Sequence, residues 1–100
     1  MDNKNIGASI WSFCSELWPL NRSITGEGVE QTLEKIKFHI PNLNIKKVPS
    51  GTNVFDWIVP KEWHIRNAWI KTPKGKKICD FKVNNLHLVG YSIPVNKKVS

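Results

Sequence analysis

The residues best suited to chemistry are three histidines, His39, His64 and His87, and two cysteines, Cys14 and Cys79. A zinc site needs three or four nitrogen, sulfur or oxygen ligands that converge tetrahedrally. The histidines are 25 and 23 positions apart, neither cysteine has metal-ligand spacing to a histidine, and no HExxH motif is present. We therefore predict no metal ligand and no catalytic residue in this chain. The cysteine spacing favours free thiols in a reducing compartment over one long-range disulfide.

Hydroxyl groups in turns are the second candidate for chemistry. Ser23, Thr25 and Ser50 lie in turn-rich segments, but none belongs to a GxSxG nucleophile elbow and no histidine is near in sequence. Residues 25–28 (TGEG) could cradle a phosphate before a helix, yet they lack the GxGxxG pattern and the Walker lysine, and Glu27 would repel an anion. We interpret these residues as turn formers and helix caps, with Thr25 as the N-cap of the following helix.

Tryptophans and basic residues are interleaved in the second half of the chain. Trp57, Trp63 and Trp69 lie near lysines and arginines, a combination that can bind single-stranded nucleic acid. The whole net charge of +7 falls on residues 61–100, which contain nine Lys/Arg and two Asp/Glu. This asymmetry indicates either a polyanion partner or an acidic counterweight in further sequence. Trp57 and Trp69 also lie in apolar alternation, where packing is the ordinary role of a tryptophan.

Two helices are predicted before any strand. Apolar residues recur at three- and four-residue spacings over residues 6–18, which predicts a helix that Pro19 ends. A loop over residues 19–28 leads to a second helix with one apolar stripe, formed by Val29, Leu33, Ile36 and Ile40. We expect Leu33 and Ile36 to be buried.

After residue 41 the apolar period changes to about two, which is typical of strands. The pattern predicts five short strands, at residues 43–48, 54–59, 64–71, 77–83 and 86–95. Turns are expected at residues 49–52, 71–76 and 84–85. The predicted fold class is therefore α+β, two helices followed by about five short strands. No closing element follows, so we expect an incomplete part of a larger fold.

Composition places the chain among folded proteins, because 40% of its 100 residues are apolar and 23% are charged. No apolar run approaches the ~20 residues that span a bilayer. The first residues lack a basic region followed by an unbroken apolar stretch, so we expect no signal peptide. These observations predict a cytoplasmic protein without a membrane partner.

Three stretches of the sequence are distinctive: residues 17–28 (LWPLNRSITGEG), 48–63 (VPSGTNVFDWIVPKEW) and 84–95 (NNLHLVGYSIPV). In this order, over residues 10–100, the chain resembles bacterial proteins of the DUF4910 group. In that group an aminopeptidase-like domain of the M28 zinc-peptidase type is interrupted by a small β-rich insertion, DUF2172. We assign a structural role to eight residues of the first two stretches, Asn21, Arg22, Ser23, Thr25, Gly26, Gly28, Asp56 and Trp57. Because Arg offers five donors in a rigid fork, we expect Arg22 to hydrogen-bond carbonyls or a carboxylate and so fix the loop between the helices.

The resemblance implies that residues 1–63 begin an α/β aminopeptidase-like domain and that residues 64–100 begin the inserted module. It also implies that the family's zinc ligands (histidines, aspartates and a glutamate) and its glutamate general base lie downstream. No cofactor is therefore expected on this chain, although zinc is implied for the full-length family. The implied partner is the remainder of the peptidase domain, and open sheet edges could also self-associate. A full member of the group is several times longer than this chain. Three explanations of the difference in length stay open: a deliberately shortened protein, a shortened reading frame and a split gene.

Three hypotheses about function follow. In the first, the chain is the amino-terminal segment of a zinc-dependent aminopeptidase-like hydrolase and is inactive by itself. In the second, it is a small basic module that binds nucleic acid or another polyanion, although the lysines around Gly75 have no aromatic residue at the turn to read bases. In the third, exposed strands pair with a partner protein.

Overall fold

The computed structural model describes residues 5–100, which form two compact units. The first unit extends to His64 and the second spans Ile65–Ser100. Along the chain there are two α-helices, then four two-residue strands in two antiparallel hairpins, then one short 3-10 turn. The predicted α+β class, two helices followed by short strands, is confirmed. The assignment of residues 1–63 to a peptidase domain and of 64–100 to an insertion stays a prediction.

Helix α1 spans Ile6–Leu17, one residue short of the sequence-based prediction. Trp18 closes it by donating its N–H to the Cys14 carbonyl at 2.9 Å. The next residue, Pro19, has no N–H to continue the helix, which explains the abrupt end. Within the described part of the chain, α1 and the second helix are both too short to cross a membrane.

Helix α2 spans Glu27–His39. Glu27 and Glu30 lie in its first turn and Lys37 and His39 in its last, an arrangement that complements the helix dipole at both ends. Its apolar stripe is as predicted in sequence, but its burial is not.

Leu33 and Ile36 are only half-buried, so the expectation that they are buried was wrong. No residue of α1 or α2 is buried. An amphipathic helix buries its stripe only against another layer. Within residues 5–100, this stripe is covered only in part.

The first hairpin pairs β1 (Asn53–Val54) with β2 (Trp57–Ile58) in antiparallel register. Two further bonds extend it, Val59 N–H to Thr52 O at 2.9 Å and Gly51 N–H to Val59 O at 2.8 Å. A single strand over 54–59 was therefore the wrong prediction. The chain reverses inside that segment because Phe55 adopts a left-handed φ of +54°, a conformation that the apolar pattern does not signal.

The second hairpin pairs β3 (Ile70–Lys71) with β4 (Lys77–Ile78). The predicted turn between them is confirmed: Thr72 N–H bonds Lys76 O at 2.9 Å, and Gly75 has a φ of +82° that glycine tolerates. The strands are much shorter than the predicted 64–71 and 77–83. Pairing stops after Ile78 because Cys79 has a positive φ of 50°, which turns the chain out of the ladder.

Two predicted strands, 43–48 and 86–95, are not strands in the described chain. Residues 43–48 have no neighbouring strand to pair with in the described chain. At the second position the Asn84 carboxamide oxygen accepts the Leu86 N–H at 2.9 Å and starts a 3-10 turn over Asn85–His87. Local side-chain bonds of this kind compete with strand pairing.

The chain has an unusually large surface for its mass. Among residues 5–100, Val59 is the only buried apolar residue, with 8% of its surface exposed. The total accessible surface is 9064 Å², whereas a self-contained protein of 11.5 kDa exposes about 5,800 Å² and two smaller units of the same total mass about 7,000 Å². The helices and hairpins therefore leave exposed the apolar side chains that would normally form a core.

Candidate functional site: the loop between the helices and the first hairpin

The loop that joins α1 to α2 is anchored by Arg22. Its Nη1 donates to the Leu17 carbonyl at 2.8 Å, and the Leu20 N–H donates to the same oxygen at 3.1 Å. The last carbonyls of a helix have no partner within the helix, and a cation near them complements the dipole. The predicted bond from Arg22 to a backbone carbonyl is thus present, and it ties the loop to the end of α1.

Gly28 fixes the other side of the loop. A Cβ atom at this position would lie 1.8 Å from the Asn21 carbonyl oxygen and 2.7 Å from its carbon. Such separations are far below van der Waals contact, so only glycine lets the first turn of α2 approach the loop this closely. Asn21 and Gly28, seven positions apart, are therefore in direct contact.

Gly26, not Thr25, is the N-cap of α2, which corrects the sequence-based interpretation. Gly26 O accepts the first helical bond, from Glu30 N–H at 3.2 Å, and Gly26 has a φ of +125° that a threonine rarely adopts. A Cβ on Gly26 would also lie 3.0 Å from the Trp63 carbonyl oxygen. Gly26 thus brings the start of α2 against the segment that follows the first hairpin.

The two hydroxyl groups of the loop differ in their surroundings. Ser23 Oγ donates to the Thr25 carbonyl oxygen. Thr25 Oγ1 is itself shielded from solvent and has no hydrogen-bond partner among the described residues. A shielded hydroxyl without a partner is unfavourable.

Asp56 and Trp57 belong to the hairpin, apart in sequence from the six motif residues of the loop. Asp56 is the second residue of the turn and Trp57 opens β2. The structure thus divides the eight motif residues between a packed loop and an exposed hairpin tip. Sequence reasoning missed Phe55, which precedes them and is fully exposed at 102% of its reference surface. No signal in the residue pattern marks it, because its apolar side chain fits a strand and its positive φ belongs to a turn that the sequence did not predict.

Each histidine has a different neighbour. The His39 ring meets Phe13 edge-on with 5.0 Å between centroids, His64 Nε2 is 3.1 Å from Glu62 Oε2, and His87 Nδ1 is 3.0 Å from a backbone carbonyl. Within residues 5–100, no three His, Cys, Asp or Glu side chains are grouped so that they could hold a metal ion. Both cysteines are free and exposed.

Two ion pairs organise the helical part of the first unit. Lys35 on α2 bonds Glu16 on α1, and this hydrogen bond lowers the pKa of the Glu16 carboxyl below its ordinary 4.5. Lys47 bonds Glu30, and this hydrogen bond raises the pKa of the Lys47 ammonium above its ordinary 10.5. Both pairs are solvent-exposed, so they orient the elements more than they stabilise them.

In the second unit, lysines lie over the tryptophan of the second hairpin. Lys77 Nζ is 4.5 Å from the Trp69 ring centroid and Lys71 Nζ is 5.8 Å from it. Cation–π attraction favours this arrangement. It places positive charge beside an aromatic ring, but it also occupies ring surface on which a nucleic-acid base would stack.

Comparison with known proteins adds three findings. A family model described as "Domain of unknown function (DUF4910)" matches residues 11–97. A protein of Clostridium acetobutylicum described as "Putative polysaccharide biosynthesis protein with aminopeptidase-like domain" is 50% identical over 99 residues, which are 99% of this chain and 23% of the relative. A crystal structure of a "putative peptidase" from Clostridium acetobutylicum matches with a TM-score of 0.86 and 53% identity, over 93% of this chain and 22% of that one. This chain therefore spans less than a quarter of the length of either relative.

Proposed function

The chain belongs to the DUF4910 family, and on that premise we propose that it supplies the amino-terminal part of a zinc-dependent, M28-type aminopeptidase-like protein and is not catalytic by itself. Residues 1–63 would begin the aminopeptidase-like domain and residues 64–100 a β-rich DUF2172 module. We place the protein in the cytoplasm, with the remainder of the peptidase domain as its main partner and pairing of open strand edges as a route to self-association.

The observation that carries this proposal is the exposed apolar surface. The total accessible surface of the chain exceeds that of two self-contained units of the same mass by roughly 2,000 Å². Extensive obligate contacts between protein parts bury surface on this scale. A segment that forms less than a quarter of a larger fold leaves such a surface when it stands alone. The half-buried stripe of α2 has the same explanation.

The part of the chain that the structure describes does not fit a zinc site. His39, His64 and His87 have separate neighbours, and among residues 5–100 no three His, Cys, Asp or Glu side chains are grouped to hold a metal ion. We therefore propose that the zinc ligands and the glutamate general base lie in the larger part of the family fold that this chain does not span. This chain's contribution would be to complete and hold that fold.

A second candidate function, binding to nucleic acid or another polyanion, is favoured by one observation. Residues 65–100 contain eight Lys/Arg and a single acidic residue, Asp80. Lys77 Nζ lies 3.8 Å from Asp80 Oδ2, so the charges of this lysine and this carboxylate partly neutralise each other. Because Lys77 and Lys71 also cover Trp69, we expect weak attraction to phosphates without base stacking. Sub-micromolar binding to single-stranded oligonucleotides at physiological salt would favour this candidate.

The test compares three proteins: the 100-residue chain, the intact Clostridium acetobutylicum relative, and a hybrid in which this chain replaces the 99 matched residues of that relative. Zinc content after dialysis and release of an amino acid from aminoacyl substrates are measured on each. We expect zinc and turnover in the intact relative and the hybrid, and neither in the isolated chain. Stoichiometric zinc with turnover in the isolated chain would contradict the proposal.

A further inference from the structure

The tip of the first hairpin consists of a strained and fully exposed phenylalanine. Phe55 is the first of the two residues that connect β1 to β2, with a φ of +54°. Its side chain is 102% exposed, the largest exposure of any large apolar residue described. It therefore gains nothing from burial within this chain.

This conformation is unfavourable for phenylalanine. A bulky side chain disfavours the left-handed region, and turns with a positive φ at the first position favour glycine. Among the described residues, glycine occupies two other positive-φ positions in hairpin loops, Gly51 at +87° and Gly75 at +82°, and only Cys79 and Tyr91 join Phe55 as non-glycine residues with a positive φ. Strained residues that persist without local benefit are concentrated at functional contacts, which makes Phe55 a candidate contact residue.

The residues around Phe55 extend the apolar surface. Val54, Trp57 and Ile58 are exposed by 37%, 48% and 60%, and Asp56 is the single charged residue at the tip. Aromatic side chains that enter a pocket often carry most of the energy of a contact. The hairpin tip has the shape and chemistry of such an anchor.

We propose that Phe55 is the anchor of the first hairpin and inserts into an apolar pocket of the aminopeptidase-like fold outside the matched quarter. This inference rests on the proposed function and names the residue through which this chain would contact the rest of the aminopeptidase-like fold. The relatives indicate what would cover Phe55. In each of them the matched segment is part of a protein of which more than three quarters lies outside the match. That remainder is the nearest source of a surface that could cover the tip.

The first arm of the test uses the isolated chain and the variant Phe55→Gly. Hydrogen exchange at the Val59 amide, which donates to Thr52 O, reports how much of the hairpin is formed. Glycine removes the backbone strain and loses no contact, so protection should rise roughly three- to tenfold. A fall in protection in this arm would overturn the proposal by itself, because Phe55 would then stabilise the hairpin locally.

The second arm makes the same substitution in the hybrid protein. Loss of the anchor from its pocket should now lower Val59 protection, by roughly tenfold or more. The proposal therefore predicts that Phe55→Gly raises protection of the Val59 amide in the isolated chain and lowers it in the hybrid. Gly51→Ala is the matched control, because strain introduced at a φ of +87° should lower protection in both proteins. Phe55→Leu keeps an apolar group and should lose less protection in the hybrid than Phe55→Gly.

The outcomes separate this inference from the proposed function. A hybrid with zinc and turnover in which Phe55→Gly raises protection, or leaves it unchanged, overturns the anchor alone. A hybrid without zinc or turnover, while the intact relative has both, contradicts the proposed function and the anchor together. A dimer of the isolated chain that Phe55→Gly abolishes in sedimentation would assign the pocket to a second copy and also overturn the proposal.

Discussion

The two units of this chain are built from similar short hairpins but are held together differently. The first unit has a net charge of zero, seven Lys/Arg against seven Asp/Glu, and the second carries all of the +7. In the first, distant parts meet, as where Asn21 lies against Gly28 or Lys35 bonds Glu16. In the second, most hydrogen bonds join residues within a few positions of each other.

This difference indicates what each unit needs from its surroundings. The first unit has a specific internal arrangement, a half-buried apolar stripe and an exposed hairpin tip, so we expect an apolar surface to cover them in a larger protein. The second unit has no buried residue among those described and a high density of lysines. Its surroundings in a larger protein should therefore include acidic groups.

The strongest test of the first unit's internal arrangement is Gly28→Ala. The added methyl group would lie 1.8 Å from the Asn21 carbonyl oxygen, so the loop or the helix must move. We expect a loss of about 3 kcal/mol in the free energy of unfolding, measured by urea titration of the helical circular-dichroism signal. Gly7→Ala is the control, because nothing lies within 4 Å of that position and alanine favours the helix. Equal effects of the two changes would show that the loop contact is not specific.

Arg22→Ala should have the next largest effect. It removes a charged donor from the Leu17 carbonyl at the end of α1, and we expect a loss of roughly 1–2 kcal/mol in the same titration. Arg22→Lys retains the charge without the planar guanidinium and should recover only part of the loss. An unchanged unfolding midpoint for Arg22→Ala would mean that the loop does not depend on this bond.

Leu33→Ala measures whether the α2 stripe has a partner. A fully buried leucine would cost roughly 2–5 kcal/mol on truncation. Because Leu33 is half-buried here, we expect about 1 kcal/mol in the isolated chain and the larger range in the hybrid protein. The same large cost in both would show that the stripe is already covered within this chain.

The smallest effect concerns the exposed ion pairs and pH. The folded pKa of Glu16 is lowered, so the stabilisation from its pair with Lys35 is complete above pH 4.5 and is lost as pH falls through the folded pKa. The folded pKa of Lys47 is raised, so its contribution is complete below pH 10.5 and is lost as pH rises through the folded pKa. The unfolding midpoint of the helical signal is measured as a function of pH. Glu16→Gln should reduce the fall of this midpoint at acid pH and leave its fall at alkaline pH unchanged. An unchanged fall at acid pH would exclude this pair as its source.

Features coded by neighbouring residues could be predicted from the sequence. Pro19 and the apolar spacing define α1, and Pro73 with Gly75 defines the second hairpin turn. The strands at 43–48 and 86–95 could not be predicted correctly, because a strand exists only where another backbone pairs with it. The alternation of apolar residues in those segments does not show where such a partner lies.

The candidate site was predictable to a similar degree. The chemistry of Arg22 indicated a bond to carbonyls or a carboxylate, and the structure shows the bond to a backbone carbonyl. Gly28 contacts Asn21 because the two backbone segments approach each other across the loop. Residue type alone does not reveal this approach. Phe55 was missed because its apolar character fits a strand, whereas its φ depends on the turn it occupies.

The central claim, that this chain needs the rest of an aminopeptidase-like fold to form its core, is tested most directly by amide hydrogen exchange along α2. The rates are compared between the isolated chain and the hybrid protein under the same conditions. We expect exchange on the order of 100-fold slower in the hybrid, because the stripe of Leu33 and Ile36 is then covered. Equal exchange rates in a hybrid that folds would contradict it.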